Sequence, residues 1–139
     1  MQLCTQLNFG GNCREAFEFY AKHLAGKVTV MMARGDAPVP DPGAAGGGSK
    51  EAIIHARITI AGTQLIGNDV PPDIFQPVRS SYLYLSVDSV DEAERVYNVL
   101  QEGGHVHMAL AETFFAERFA MLHDRFGVGW TVIREKRMG

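Results

Sequence analysis

His55 and Arg57 stand two residues apart in the stretch EAIIHARITIAGTQLIGND, so on an extended strand their side chains leave the same face. An imidazole exchanges a proton near neutral pH, and a guanidinium offers a planar fork of donors to a carboxylate or phosphate. The pair suits a general base beside an anion clamp, or an anchor for a small polar molecule. Around it Ile54, Ala56, Ile58 and Ile60 share one face while Ile53, His55, Arg57 and Thr59 share the other, which predicts one face in the core and one wetter. Ala61-Gly62-Thr63 reads as a tight turn, because glycine tolerates positive φ, and Gln64 to Asn68 returns as a second strand.

The elements that must hold this hairpin follow from the same periodicities. Leu3, Thr5, Leu7 and Phe9 alternate with Cys4, Gln6 and Asn8 in a half-buried strand that Gly10-Gly11 stops. Asn12 is the expected N-cap, with Glu15 in capping-box position, of a helix over residues 12–25 that buries Ala16, Phe17, Tyr20 and Leu24 and ends at Gly26. Residues 27–34 form a strand with Val28, Val30 and Met32 on one side. Residues 35–50, GDAPVPDPGAAGGGSK, carry three prolines and no periodicity. This stretch is expected to lack regular structure and to be mobile, a candidate lid.

After a connector, VPPDIFQPVRSS over residues 70–81, the pattern repeats. Leu83, Leu85 and Val87 alternate with Tyr82, Tyr84 and Ser86, and Asp88 or Ser89 caps a helix over residues 89–102 that buries Val90, Ala93, Val96, Tyr97 and Leu100. Strands follow over residues 105–111, with Val106, Met108 and Leu110 on one face, then over 118–124 and 128–134, the last turned by Phe126-Gly127. Gly26 and Gly104 stand 78 positions apart, as do Val28 and Val106, whereas Gly62 and Gly127 stand 65 apart. The chain therefore reads as two β-α-β-β-β modules, residues 1–69 and 82–139, with the Gly/Pro stretch inserted in the first.

Bulk properties exclude several function classes. At 139 residues the chain fits one domain or two small modules, and it can bury roughly 65–70% of its unfolded surface. A net charge of −3, with 46% hydrophobic and 21% charged residues, gives no footprint for nucleic acid. No run approaches the ~18 apolar residues of a membrane span, and no basic-then-apolar leader opens the chain, so a cytoplasmic protein with no membrane or nucleic-acid partner is expected. Cys4 and Cys13 make no disulfide framework and are expected to be reduced packing residues.

The stretches NFGGNCREAFEFY, IIHARITIAGTQLIGND, LSVDSVDEAERVYNVL and ETFFAERFAMLHDRFGVGW, in this order and across nearly the whole chain, resemble the PhnB-like branch of the glyoxalase/bleomycin-resistance superfamily, also called vicinal oxygen chelate. Some members of that branch carry the label 3-demethylubiquinone 3-methyltransferase, but the chain has no glycine-rich strand-to-helix turn suited to a nucleotide-like cofactor. The resemblance implies an α+β fold, one glyoxalase/bleomycin-resistance-like domain over residues 1–139, whose paired modules form a shared cleft, and a homodimer. Phe114, Phe115 and Phe119 are candidates for contact with the second copy or the cleft.

The superfamily's metal positions map by strand parity onto Cys4, Ile66, Tyr82 and Thr131, mostly poor ligands, so no metal at those positions is expected; what cofactor the protein uses, if any, stays open. The same parity places Cys4, Gln6, Asn8, His55, Arg57, Asn68, Tyr82, Tyr84, Ser86, His107, Arg118 and Thr131 on the concave face, and ETFF would set Glu112 and Phe115 at its rim. His55 is the candidate catalytic residue. Gln6, Asn8, Arg57, Asn68, Tyr82, Tyr84, His107, Glu112, Phe115 and Arg118 are the candidate ligand contacts. Trp130 reads as buried packing, and His123-Asp124 and Asp69 as structural. The expected function is small-molecule binding without the superfamily metal. The alternative is an enzyme, lyase, isomerase or dioxygenase-like, acting on a small oxygenated substrate with His55 as base or metal ligand.

Overall fold

The computed structural model describes residues 1–37 and 49–136; residues 38–48, the bulk of the expected mobile lid, lie outside them. Two compact units, Met1–Gln76 and Pro77–Gly139, each carry one four-stranded sheet and one helix, the α+β repeat that the periodicities predict. No helix among the described residues is long and apolar enough to cross a membrane.

The first unit comprises β1 (Thr5–Phe9), α1 (Cys13–His23), β2 (Lys27–Ala33), β3 (Ile53–Ile60) and β4 (Thr63–Asp69). Its sheet runs β1-β4-β3-β2. The edge pair β1/β4 is parallel and the rest antiparallel, because α1 carries the chain from one edge of the sheet to the other. Ala16, Phe17 and Tyr20 of α1 are fully buried, and the Phe17 ring meets Phe9 edge-on at 6.0 Å. Gly67 is a glycine for packing reasons: a Cβ there would lie 2.5 Å from Phe17 Cζ and 3.0 Å from Cys13 Sγ. Ala61 and Gly62 both adopt positive φ, 49° and 78°, as the tight hairpin turn requires.

Several expectations need correction. Leu3 is 98% exposed and β1 begins only at Thr5. The Asn12 side chain caps nothing. Asp69, at the end of β4, does so instead: one carboxylate oxygen accepts the Gly11 and Cys13 N–H groups at 3.1 and 3.0 Å, and the other accepts Ile53 N–H at 2.9 Å. The positive-φ residue past α1 is Ala25 rather than Gly26, where a Cβ would press on Ile58 Cδ1 at 2.9 Å. Irregular pairing in β2 breaks the simple alternation, leaving Met32 37% exposed and Ile53 buried. A short 3₁₀ turn, Arg34–Asp36, opens the stretch expected to lack regular structure.

The second unit comprises β5 (Leu83–Ser86), α2 (Val90–Gln101), β6 (His105–Ala111), β7 (Ala116–His123) and β8 (Gly129–Glu135), in the order β5-β8-β7-β6, again with one parallel edge pair, β5/β8. Ser89 caps α2 by accepting Glu92 N–H at 3.0 Å. Ala93, Val96 and Leu100 are buried as the helical spacing predicts. Trp130 is 2% exposed and donates its Nε1–H to Asp124 at 2.9 Å; Asp124 also accepts Phe126 and Val128 N–H groups in the β7/β8 turn. Register shifts in β6 defeat the alternation there and leave Met108 49% exposed.

Candidate functional site

Register assigns the first sheet's two faces. Leu7, Phe9, Ala56, Ile58, Leu65 and Gly67 turn toward α1, so the alternate positions Gln6, Asn8, His55, Arg57, Gln64, Ile66 and Asn68 turn to the open face. Arg57 Nε–H donates to His55 Nε2 at 3.1 Å, and Arg57 Nη1–H to Gln64 Oε1 at 3.2 Å. The Cys4 thiol reaches the same Gln64 oxygen at 3.9 Å. Beside this chain, Gln6 Nε2 donates to Asn68 Oδ1 at 2.8 Å and to Asn8 Oδ1 at 3.2 Å. The face therefore brings together five residues singled out from the sequence, Gln6, Asn8, His55, Arg57 and Asn68.

Two properties of this face matter chemically. A guanidinium only donates, so His55 Nε2 accepts the Arg57 hydrogen bond through its lone pair, and that lone pair is occupied. Arg57 is held only by neutral groups, and it belongs to none of the ion pairs among the described residues. Gln64, which orients Arg57, was missed from the sequence although it shares the parity of Asn68 in β4.

The first unit also has a cavity of about 360 Å³ where α1 begins, lined by Gly10, Gly11, Arg34, Glu51, Asp69 and Pro71 among others. Arg34 Nε is buried, with no hydrogen-bond partner among the described residues. Nearby Cys13 is an inert thiol: burial first, and the Asp69 charge second, push it up to about 12.

The positions where the superfamily would hold a metal do not fit one. In the first unit they supply the Cys4 thiol and the hydrocarbon of Ile66; in the second, the Tyr82 phenol and the buried Thr131 hydroxyl. One thiol is too few for a divalent cation, whose protein sites draw on several imidazole, carboxylate or thiolate donors. No group of three such side chains placed to hold a metal occurs among the described residues.

The second unit scatters its expected ligand contacts. Arg118 corrects the parity reading: it lies on the helix side with the buried Ala120 and Leu122, in register with Arg134 and ion-paired with Glu94 of α2 at 3.7 Å. Glu112 pairs with Lys136 at 3.1 Å, and Phe115 packs edge-on against Phe114 and Phe119, both at 5.2 Å. Tyr84 is 60% exposed and donates its hydroxyl to Glu135 at 2.8 Å. Tyr82 and His107 do come together, joined by His105 and His123, which sequence reasoning had not placed in a site.

Comparison with known proteins agrees with this geometry. Residues 1–133 match the family described as 3-demethylubiquinone-9 3-methyltransferase. Protein YjdN of Escherichia coli strain K12 is 30% identical over 138 residues, 95% of this chain and 94% of that protein. The crystal structure of protein PA1353 from Pseudomonas aeruginosa superposes with a TM-score of 0.85 at 40% identity, covering 99% of both chains. A Bacillus cereus PhnB protein, 24% identical, reaches 0.82 over 96% of this chain and 99% of its own. A glyoxylase/bleomycin resistance protein/dioxygenase domain from Frankia sp. EAN1pec shares the fold alone, at 15% identity and a TM-score of 0.61 over 98% of each chain. The repeated sheet-and-helix unit, with the match along its full length, makes this chain a member of the PhnB-like, 3-demethylubiquinone-9 3-methyltransferase family, built on the glyoxalase/bleomycin-resistance fold.

Proposed function

We propose that the protein binds a small molecule bearing a carboxylate, phosphate or phosphonate on the open face of the first sheet. Arg57 takes the anionic group, while Gln6, Asn8 and Asn68 read hydrogen-bonding groups beside it. The observation that carries this reading is the Arg57 guanidinium, oriented by His55 and Gln64 and without a carboxylate partner among the described residues. His55 serves as orienter and as Nδ1–H donor; to act as a base through Nε2 it would first have to lose the Arg57 hydrogen bond. Binding in place of metal-assisted chemistry fits the donor set, because Cys4 and Ile66 offer a cation one ligand between them.

The test is a thermal-shift screen of small carboxylates, phosphates and phosphonates against the wild-type protein and Arg57→Gln. At a ligand concentration of about 100 Kd, linkage gives about 2.7 kcal/mol of added stability, a shift that Arg57→Gln should remove. A ligand that stabilises both proteins equally would reject the reading.

The exposed apolar groups of the second unit, Phe114 at 90%, Met108 at 49% and Phe115 at 37%, support the further proposal that the protein is a homodimer. Light scattering that gives the monomer mass of 15.2 kDa at high micromolar concentration would reject it.

A further inference from the structure

The second unit carries three histidines on neighbouring strands, His105 and His107 in β6 and His123 in β7. His105 and His123 are direct cross-strand partners. His107 Nε2 lies 2.7 Å from His123 Nδ1, and His123 Nε2 lies 3.1 Å from the Val78 carbonyl oxygen. The carbonyl can only accept, which fixes the tautomers: His123 is protonated at Nε2, its Nδ1 lone pair is free, and His107 Nε2–H points at it. The His105 ring sits 4.7 Å from the His107 ring, and Tyr82 closes the cluster 5.2 Å from His123.

We propose that His107 and His123 form a binding site for a divalent transition-metal cation, Zn²⁺ or Cu²⁺, through two imidazoles that are not among the superfamily's mapped metal positions. Two nitrogens already converge on one point, and only a proton lies between them. His123 has the environment of a metal-ligating imidazole: its far N–H is held by a backbone carbonyl, which locks the tautomer and aims the coordinating lone pair.

The exchange balances without an added reactant. His107 moves its proton from Nε2 to Nδ1, both imidazoles remain neutral, and the cation binds the two freed lone pairs as the rings move apart. Metal–nitrogen distances of about 2.0–2.1 Å at a tetrahedral angle set the two nitrogens about 3.3 Å apart. The present 2.7 Å therefore widens by roughly 0.6 Å, a movement open to the exposed His107 ring. No third donor is in coordinating position among the described residues, so water or a rotated His105 completes the shell.

The experiment is calorimetric titration of the full chain with ZnCl₂ and with CuCl₂ at pH 7.5, for the wild type, His107→Ala, His123→Ala, His105→Ala and His55→Ala. The proposal expects one ion per chain and tighter binding of Cu²⁺ than of Zn²⁺. Since loss of a single outer-shell partner weakens metal binding about 10–100-fold, loss of either ligand should cost at least about tenfold. His55→Ala should leave the titration unchanged, and His105→Ala weakens it only if that ring is recruited. If His123→Ala unfolds, exposed His107→Ala still decides the matter. No stoichiometric uptake, or uptake that survives His107→Ala undiminished, would overturn the proposal.

Discussion

Arg57 Nε–H donates to His55 Nε2 at 3.1 Å, and this one contact defines the working state of both side chains. It occupies the His55 Nε2 lone pair, and it aims the guanidinium with a neutral partner. Arg57→Lys should be a poor substitute, because an ammonium cannot span His55 and Gln64 while presenting a planar fork. We expect Arg57→Lys to lose at least about tenfold in ligand affinity, the loss of roughly one charge-assisted hydrogen bond. Calorimetry with the best ligand from the screen measures this, and an unchanged Kd would show that Arg57 acts only as a point charge.

Asp69 is a structural carboxylate, and its removal should be costly. Asp69→Ala leaves the Gly11, Cys13 and Ile53 N–H groups without their acceptor. Loss of the cap and of a partner for a buried donor should destabilise the fold by about 2–4 kcal/mol. A urea midpoint corresponding to less than about 0.5 kcal/mol would show that solvent replaces the carboxylate, the usual result at an ordinary surface position.

Gly67→Ala should also destabilise, by about 1–3 kcal/mol as an overpacking change, because the new methyl group would press on the Phe17 ring and Cys13 Sγ. Chemical denaturation reads it. An unperturbed variant would mean that α1 can shift away from the sheet.

Much of this architecture can be read in the residues. Alternation in β3 and β4 shows which face holds His55, Arg57 and Asn68, and the helical spacing of Phe17, Tyr20 and Leu24 shows which face of α1 is buried. Parity fails where pairing slips: β2 and β6 contain irregularities that turn Met32 and Met108 outward. Arg118 is a different case, since it keeps regular alternation with the buried Ala120 and Leu122 and goes with them to the helix side. A register shift leaves no local trace in residue type. The cap of α1 was illegible for a different reason. Asn12 has the right chemistry in the right place, but a carboxylate from 57 positions further along, Asp69, reaches the same N–H groups. Gln64 and His105 were within reach of the alternation argument, since each shares its parity with a residue already on the open face. The approach of His107 to His123 depends on cross-strand pairing that no periodicity encodes.

Thiol reactivity should separate the two cysteines. Cys13 is fully buried and its thiol is pushed up to about 12, so iodoacetamide at pH 8 should spare it and label the partly exposed Cys4 alone. Intact-mass measurement should show one adduct in the folded protein and two in urea. Two adducts without denaturant would show that α1 opens readily.

His107 should titrate below the ordinary imidazole midpoint of about 6.5, because desolvation, followed by the charges of His105 and His123, disfavours its protonated form. The sign follows from linkage: the unfolded chain takes up this proton first as pH falls, so the group's contribution to stability declines as pH drops through the unfolded value toward the lower folded one. An NMR titration of the His107 ring protons checks the direction. A midpoint at or above 6.5 would contradict it.

Chemical-shift mapping tests the central claim most directly. A ¹⁵N-labelled sample titrated with the strongest acidic ligand from the screen should shift the Arg57 side-chain Nε–H signal and the side-chain amides of Gln6, Gln64 and Asn68, with the rest of the chain little changed. Shifts confined to residues 77–136, or to the Arg34 cavity, would contradict the assignment of the first sheet's open face as the ligand site.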